Sequence, residues 1–274
     1  RHPAALATAA RYVEAGLAAG PGRPVPRHTY RVEAGEVANL EVTLPGAAEP
    51  AAIVVIGAHY DTVPTTPGAD DNASGVAALL ELGRRLKGAK LPKTVRLVAF
   101  TNEEPPFFKT AQMGSVVYAR AAAAAGDRVV AMVSLETLGY YDPRPGSQTY
   151  PPGLGLLYPD RGDYLAFVGN TGSAALVTSA VEAFRGAVDF PAESIAAPAF
   201  VTGVDFSDHW SFWQAGFPQA VMVTDTAFMR NRHYHEPTDT PERLDYARLA
   251  RVVDGLEAVV RRLAGGAAPS AAGH

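Results

Sequence analysis

Four nearly continuous apolar runs organise the chain, at residues 52–58, 95–100, 129–135 and 220–223. Each is too short for a helix and too uniformly apolar for a strand with one wet face. Such runs are expected as central strands covered on both sides. Residues 165–168 and 196–201 are weaker strand candidates. Residues 29–33 and 37–44 alternate like a strand pair around Ala34-Gly35-Glu36. Helical periodicity falls between the runs. Residues 74–86 place Val76, Leu79, Leu80, Gly83 and Leu86 on one face. Residues 110–125, 172–185 and 241–264 also read as helices, the last opening with Thr240-Pro241-Glu242 as a cap and first turn. An Ala-rich amphipathic helix over 3–19 should stop at Gly20-Pro21-Gly22.

Strand and helix alternate, which predicts a three-layer α/β fold. A mixed, mostly parallel central sheet would lie between helical layers. No linker composition interrupts the chain, so residues 1–274 are expected to form one domain. Residues 140–163, rich in Pro, Gly and Tyr, are expected to be an ordered loop near a functional site.

Composition narrows the chemistry. Hydrophobic residues make up 47% of the 274, enough for a substantial core. The net charge of −4 is unpatterned, which argues against a nucleic-acid partner. No apolar stretch approaches the ~20 residues of a membrane span. Cysteine is absent, which excludes thiolate metal sites, thiol nucleophiles and disulfides. The start at Arg1 rather than Met looks processed or trimmed. Export with a removed signal peptide and a cytoplasmic location both stay open, as does the oligomeric state.

The candidate chemistry sits where the apolar runs end. His59 directly follows the first run, and in open α/β sheets ligands bind beyond the carboxyl ends of strands. Asp61 lies two positions on and would share a face with His59 if the chain stays extended. It could then accept the second ring N–H of His59. Asp70-Asp71-Asn72 precedes a helix. Capping through Asn72 or Ser74 is one role for this segment; a carboxylate of Asp71 bridging two cations is another. Glu103-Glu104 follows the second run in a stiff apolar setting, Pro105-Pro106-Phe107-Phe108. Adjacent acids point differently, so Glu104 is assigned as a metal ligand and Glu103 as general base. Glu136 ends the third run. His233 and His235 both follow the fourth across a loop. Asp71, Glu104 and Glu136 with a bridging hydroxide would balance two divalent cations. Histidine and carboxylate donors without sulfur suit zinc, with manganese or cobalt as substitutes.

In this order the motifs resemble the M28 family of metallopeptidases, the co-catalytic zinc aminopeptidases. The carriers are Gly57-Ala58-His59-Tyr60-Asp61, Gly68 through Gly75, Asn102-Glu103-Glu104, Leu135-Glu136, Ser207-Asp208-His209 and Tyr234-His235 with Asp239-Thr240. They span nearly the whole chain. The resemblance implies a sheet of about eight strands and a cis Asp71–Asn72 peptide. It also implies two zinc ions, one held by His59, Asp71 and Glu136, the other by Asp71, Glu104 and His235. Glu103 would be the base. The third acid is often Asp in relatives and is Glu136 here. Where secreted bacterial relatives place an oxyanion-stabilising tyrosine, this chain has Val204; Tyr234 is the substitute.

The activity so implied is cleavage of the N-terminal residue from a peptide or aminoacyl substrate. Glutaminyl-cyclase, amidase or carboxypeptidase chemistry on the same fold is the alternative. A non-catalytic binding module is a further one, although no ligand is lost here. Phe107, Phe108, Tyr140, Tyr141, Tyr150, Phe206, Trp210 and Phe212 are candidates for an apolar substrate pocket, with core packing the competing role for most. Ser207-Asp208-His209 would support the site wall or cap a helix.

Overall fold

The computed structural model describes residues 3–33 and 35–266. Arg1, His2, Ala34 and residues 267–274 lie outside that range. Eight strands form one mixed sheet: β1 (Arg27–Val32), β2 (Gly35–Leu44), β3 (Glu49–His59), β4 (Lys93–Phe100), β5 (Arg128–Glu136), β6 (Leu165–Gly169), β7 (Ala192–Ala196) and β8 (Ala220–Thr224). Their order is β1-β2-β4-β3-β5-β8-β6-β7. The four central strands, β4, β3, β5 and β8, run parallel, so their carboxyl ends share one edge. The pairs β1–β2, β2–β4 and β6–β8 are antiparallel.

Alternate residues of each central strand enter different cores, which is why the runs are apolar throughout. Val54, Ile56, Leu97, Val133 and Val223 pack against α1 (Pro3–Ala19), α2 (Gly75–Arg85), α4 (Ala174–Ala187) and α6 (Tyr246–Leu263). Val55, Val98, Phe100 and Met132 face the other way. They meet Tyr118 of α3 (Gly114–Ala124) and Phe212 of α5 (His209–Gln214). Phe212 is thus core, not pocket lining.

Three boundaries differ from expectation. The final helix opens at Tyr246, because Asp245 accepts from the Arg248 amide at 2.9 Å. Pro241–Arg243 form a separate 3-10 turn, and Thr240 makes no side-chain cap. The strand expected at 196–201 lies earlier, at Ala192–Ala196, with Glu193 and Ser194 inside it. The third helix starts at Gly114 after a run of turns. No helix among the described residues is long and apolar enough to cross a membrane.

A buried acid fastens β2 to α3. Glu41 accepts hydrogen bonds from Thr43 at 2.6 Å and Tyr118 at 2.8 Å, with His28 Nε2 at 3.2 Å. Burial opposes its charge, but these partners outweigh burial and hold the carboxyl at about 2. Its folded value lies below the unfolded one. The stabilisation is therefore present above pH ~4.5 and lost as pH falls through about 2, an effect of about 3 kcal/mol. Glu41→Gln is expected to lower the melting temperature at pH 7, and the difference from wild type should shrink by pH 2.

Candidate metal centre

The site forms at the carboxyl edge of the parallel strands. His59 is the last residue of β3 and Glu136 the last of β5. Glu103 and Glu104 follow β4 after Thr101 and Asn102. Asp71 lies in the turn Ala69–Ser74 leading into α2, and the Asp71–Asn72 peptide is cis. His235 reaches the same point from the loop beyond β8. Asn102, Thr137 and His235 adopt left-handed backbone at φ 59°, 45° and 61°. Such conformations in non-glycine residues cluster where a site dictates the chain path.

Asp71 stands between two imidazoles. Its Oδ1 is 3.3 Å from His59 Nε2 and its Oδ2 is 3.0 Å from His235 Nε2. Each imidazole faces a second carboxylate: Glu136 at 3.3 Å from His59 Nε2, Glu104 at 3.2 Å from His235 Nε2. Two groups able to hold a cation result, His59–Asp71–Glu136 and Asp71–Glu104–His235, each with donor atoms within 4.8 Å of one another. His59, Glu103 and Glu104 form a third such group, but Glu103 stands farther off, 4.0 Å from His59 Nε2. His233 turns elsewhere, its Nδ1 2.8 Å from Thr238 Oγ1.

Buried polar atoms are ordinarily hydrogen-bonded. Here His59 Nε2, Asp71 Oδ2 and His235 Nε2 are buried, converge, and have no hydrogen bond of good geometry among the described residues. That is the pattern of lone pairs directed at a cation. The electrostatics agree. Burial and the Asp71 charge push the Glu104 carboxyl up to about 7. Burial raises Glu103 well above the usual carboxylate range; His59 opposes this, while Glu104, Glu136 and Asp208 add to it. Burial disfavours a charged His235, yet Asp71 and Glu104 outweigh it and raise the ring to about 10. Five acids and two rings in this space need positive charge among them.

The supporting hydrogen bonds correct one expectation. The Asp61 carboxylate does not hold the His59 ring: His59 Nδ1 is 3.1 Å from the Asp61 carbonyl oxygen and 3.9 Å from Oδ1. β3 ends at His59, so the alternation assumed for an extended chain stops there. The carboxylate instead accepts the Glu103 amide at 3.0 Å and the Glu104 amide at 3.2 Å. It thereby fixes the backbone from which both glutamates project.

Further side chains support the site. Asp239 accepts the amides of Asp70 and Asp71 at 3.0 and 3.1 Å. The Asn72 carboxamide donates to Leu135 O and accepts from Thr137 N and Gly75 N, tying Asp71 to the end of β5. Of the two candidate caps for α2, it is Asn72 that acts. A Cβ on Gly75 would lie 2.4 Å from Asn72 Oδ1, so only glycine permits this approach. Ser207 donates to Glu136 Oε2 at 2.7 Å, which places its motif in the site wall. Asp208 begins α5 without a side-chain cap. Apart from that between Gly75 and Asn72, these contacts join segments far apart in sequence. The signal for Ser207 and Asp239 was only their membership of short motifs.

Beside Glu136 and Tyr234 opens an apolar pocket. The 140–163 loop contributes Tyr150, Leu154 and Tyr158, and the opposite rim carries Phe206 and Phe228. Of the predicted aromatics only Tyr150 and Phe206 line it. Phe107, Phe108, Tyr140, Tyr141 and Trp210 do not. Tyr234 stacks on the His235 ring with centroids 3.9 Å apart. Burial and the charges of Asp71, Glu136, Glu103 and Glu104 push its phenol well up, so it keeps its proton.

Comparison with known proteins adds the family. The chain is 49% identical to YfbL of Escherichia coli strain K12, an uncharacterized protein, over 214 residues; these are 74% of this chain and 65% of YfbL. A zinc aminopeptidase from Bacillus subtilis superposes with a TM-score of 0.62 at 24% identity, covering 82% of this chain and 50% of that one. The glutaminyl cyclase of Fimbriiglobus ruber superposes with a TM-score of 0.67 at 21% identity, covering 93% of this chain and 87% of that one. At those identities the two structures speak for the fold alone. This chain spans no more than 65% of YfbL and half of the aminopeptidase. The model of Peptidase family M28 matches residues 39–260, from β2 into α6, and so takes in every strand and loop that builds the site. On that match the chain belongs to peptidase family M28.

Proposed function

We propose that this protein is a metal-dependent aminopeptidase that removes the first residue of a peptide with a free amino terminus. The observation that carries this is Asp71, whose two oxygens face two different imidazoles at 3.3 and 3.0 Å. His59, Asp71 and Glu136 would hold one zinc, and Asp71, Glu104 and His235 the other. Manganese or cobalt would substitute on the same donors. When bound, the pair supplies Lewis-acid activation of the attacking water and the scissile carbonyl.

The chain's own groups do the rest. Glu103, anchored through its amide to Asp61, accepts the proton of the attacking water and passes it to the leaving amine. Tyr234 donates a hydrogen bond to the developing oxyanion. Ser207 donates to Glu136 Oε2, the oxygen that also stands 3.3 Å from His59 Nε2, and so fixes the orientation of this carboxylate.

Metal counting joined to a substrate panel tests the proposal. Purified protein dialysed against zinc should hold two ions per chain. It should cleave free aminoacyl amides and leave their N-acetylated forms intact. One ion per chain with cyclisation of N-terminal glutamine would make it a glutaminyl cyclase. Cleavage of only the acetylated members would sink the aminopeptidase proposal.

A further inference from the structure

The sheet registers of β5, β8, β6 and β7 lay four residues in one row: Glu136, Thr224, Ala166 and Glu193. Residues paired across neighbouring strands point to the same face. All four accordingly line the apolar pocket beside the metal centre. Three strand spacings of ~4.8 Å put Glu193 roughly 14 Å along the floor from Glu136. The next row of the floor is Met222, Val168 and Ile195, entirely apolar.

The pocket thus has two unlike ends, with the metal centre at one and a single carboxylate at the other. No Lys, Arg or His lines it among the described residues. Glu193 sits on the edge strand with its side chain 32% exposed. Its nearest cation, Arg185, is 3.9 Å away and donates instead to the Ala192 carbonyl. The walls near Glu193 are tyrosines: Tyr158 donates to the Ser194 carbonyl, and Tyr150 meets Tyr164 hydroxyl to hydroxyl at 2.8 Å. Tyr150 and Tyr158 are stacked, with centroids 5.9 Å apart.

We propose that this pocket receives the first side chain of the substrate and selects arginine or lysine, with Glu193 pairing the terminal cation. The proposal rests on the aminopeptidase function above and names its substrate class. A long aliphatic stem crosses the apolar floor and a charged head meets the one acid beyond it. Arginine is favoured over lysine, because a planar guanidinium also packs against tyrosine faces. Leucine or phenylalanine would fill the apolar part and leave the carboxylate with only its long contact to Arg185 at 3.9 Å.

The test uses the full chain loaded with zinc and has two readouts. Calorimetry measures binding of free L-arginine, L-lysine and L-leucine, none of which is a substrate. Wild type should bind arginine at least tenfold more tightly than leucine, as expected for a charge-assisted pair in a partly buried site. Glu193→Gln should remove that difference without weakening leucine. Hydrolysis of the matching aminoacyl p-nitroanilides should show the same tenfold preference in kcat/KM. Equal binding of arginine and leucine to wild type, or a preference that survives in Glu193→Gln, overturns the assignment while leucine hydrolysis leaves the aminopeptidase standing. Absence of hydrolysis with an intact, Glu193-dependent arginine preference sinks the enzyme and keeps the pocket.

Discussion

Glu103→Gln is expected to lower kcat by about 10²–10⁴-fold, the range for loss of a general acid–base group. Zinc content and fold should be unchanged. The amide is isosteric with the carboxyl, so packing at this buried position survives. The backbone anchor to Asp61 also survives, because it uses the Glu103 amide and not the side chain. Only proton transfer is lost. Steady-state rates, metal analysis and circular dichroism on the same preparation check all three points. A variant turning over near the wild-type rate would move the base elsewhere, and loss of zinc would make Glu103 a ligand.

The second large effect concerns metal removal. Stripping zinc with a chelator should destabilise the protein increasingly as pH rises. Glu104 has a folded value near 7, above its unfolded value of 4.5, so the metal-free fold binds more protons than the unfolded chain between those limits. Stability falls across that window by about 3 kcal/mol. His235, raised from 6.5 to about 10, acts in the same direction: its stabilisation is present below pH 6.5 and lost as pH rises toward 10. Burial opposes the Asp71 charge, but the two imidazoles outweigh it and hold the carboxyl below its ordinary value, so Asp71 works the opposite way and only in acid. The melting temperature of the chelated protein should therefore drop from pH 5 to pH 9. Added zinc should restore it, most strongly at the alkaline end, by mass action on the folded state. A melting curve indifferent to the chelator at pH 8 would contradict the placement of metal among these acids.

The sheet was legible because its central strands are buried on both faces. Such strands produce short apolar runs like 52–58 and 129–135. The polar edge strand β7 was displaced in the sequence reading because Glu193 and Ser194 break the pattern, and their strand partner β6 is 27 residues upstream in register. Among the candidate site residues, His59, Glu103, Glu104 and Glu136 stood out because they lie at or just past strand ends, while Asp71 and His235 stood out by their short motifs. Their supports were hidden for one physical reason. Asp239 lies 169 residues from the Asp70 amide it accepts, and Ser207 lies 71 residues from Glu136. Hydroxyls and carboxylates in loops are common, and only the fold shows which of them meet. Asp61 failed differently: its neighbour was guessed from strand geometry, and the strand had already ended.

The order in which donors emerge along the chain gives the two halves of the centre different histories. His59, Asp71 and Glu136 belong to β3, the turn before α2 and β5, all of which precede β6, β7 and β8 in the chain. His235 arrives only after β8. During synthesis the donors of the first group emerge with β3–β5, whereas the second group is complete only after β8. A chain cut after β8 would lose His235 and also Asp239, whose carboxylate holds the Asp70 and Asp71 amides, so the first group would keep its donors but not their support.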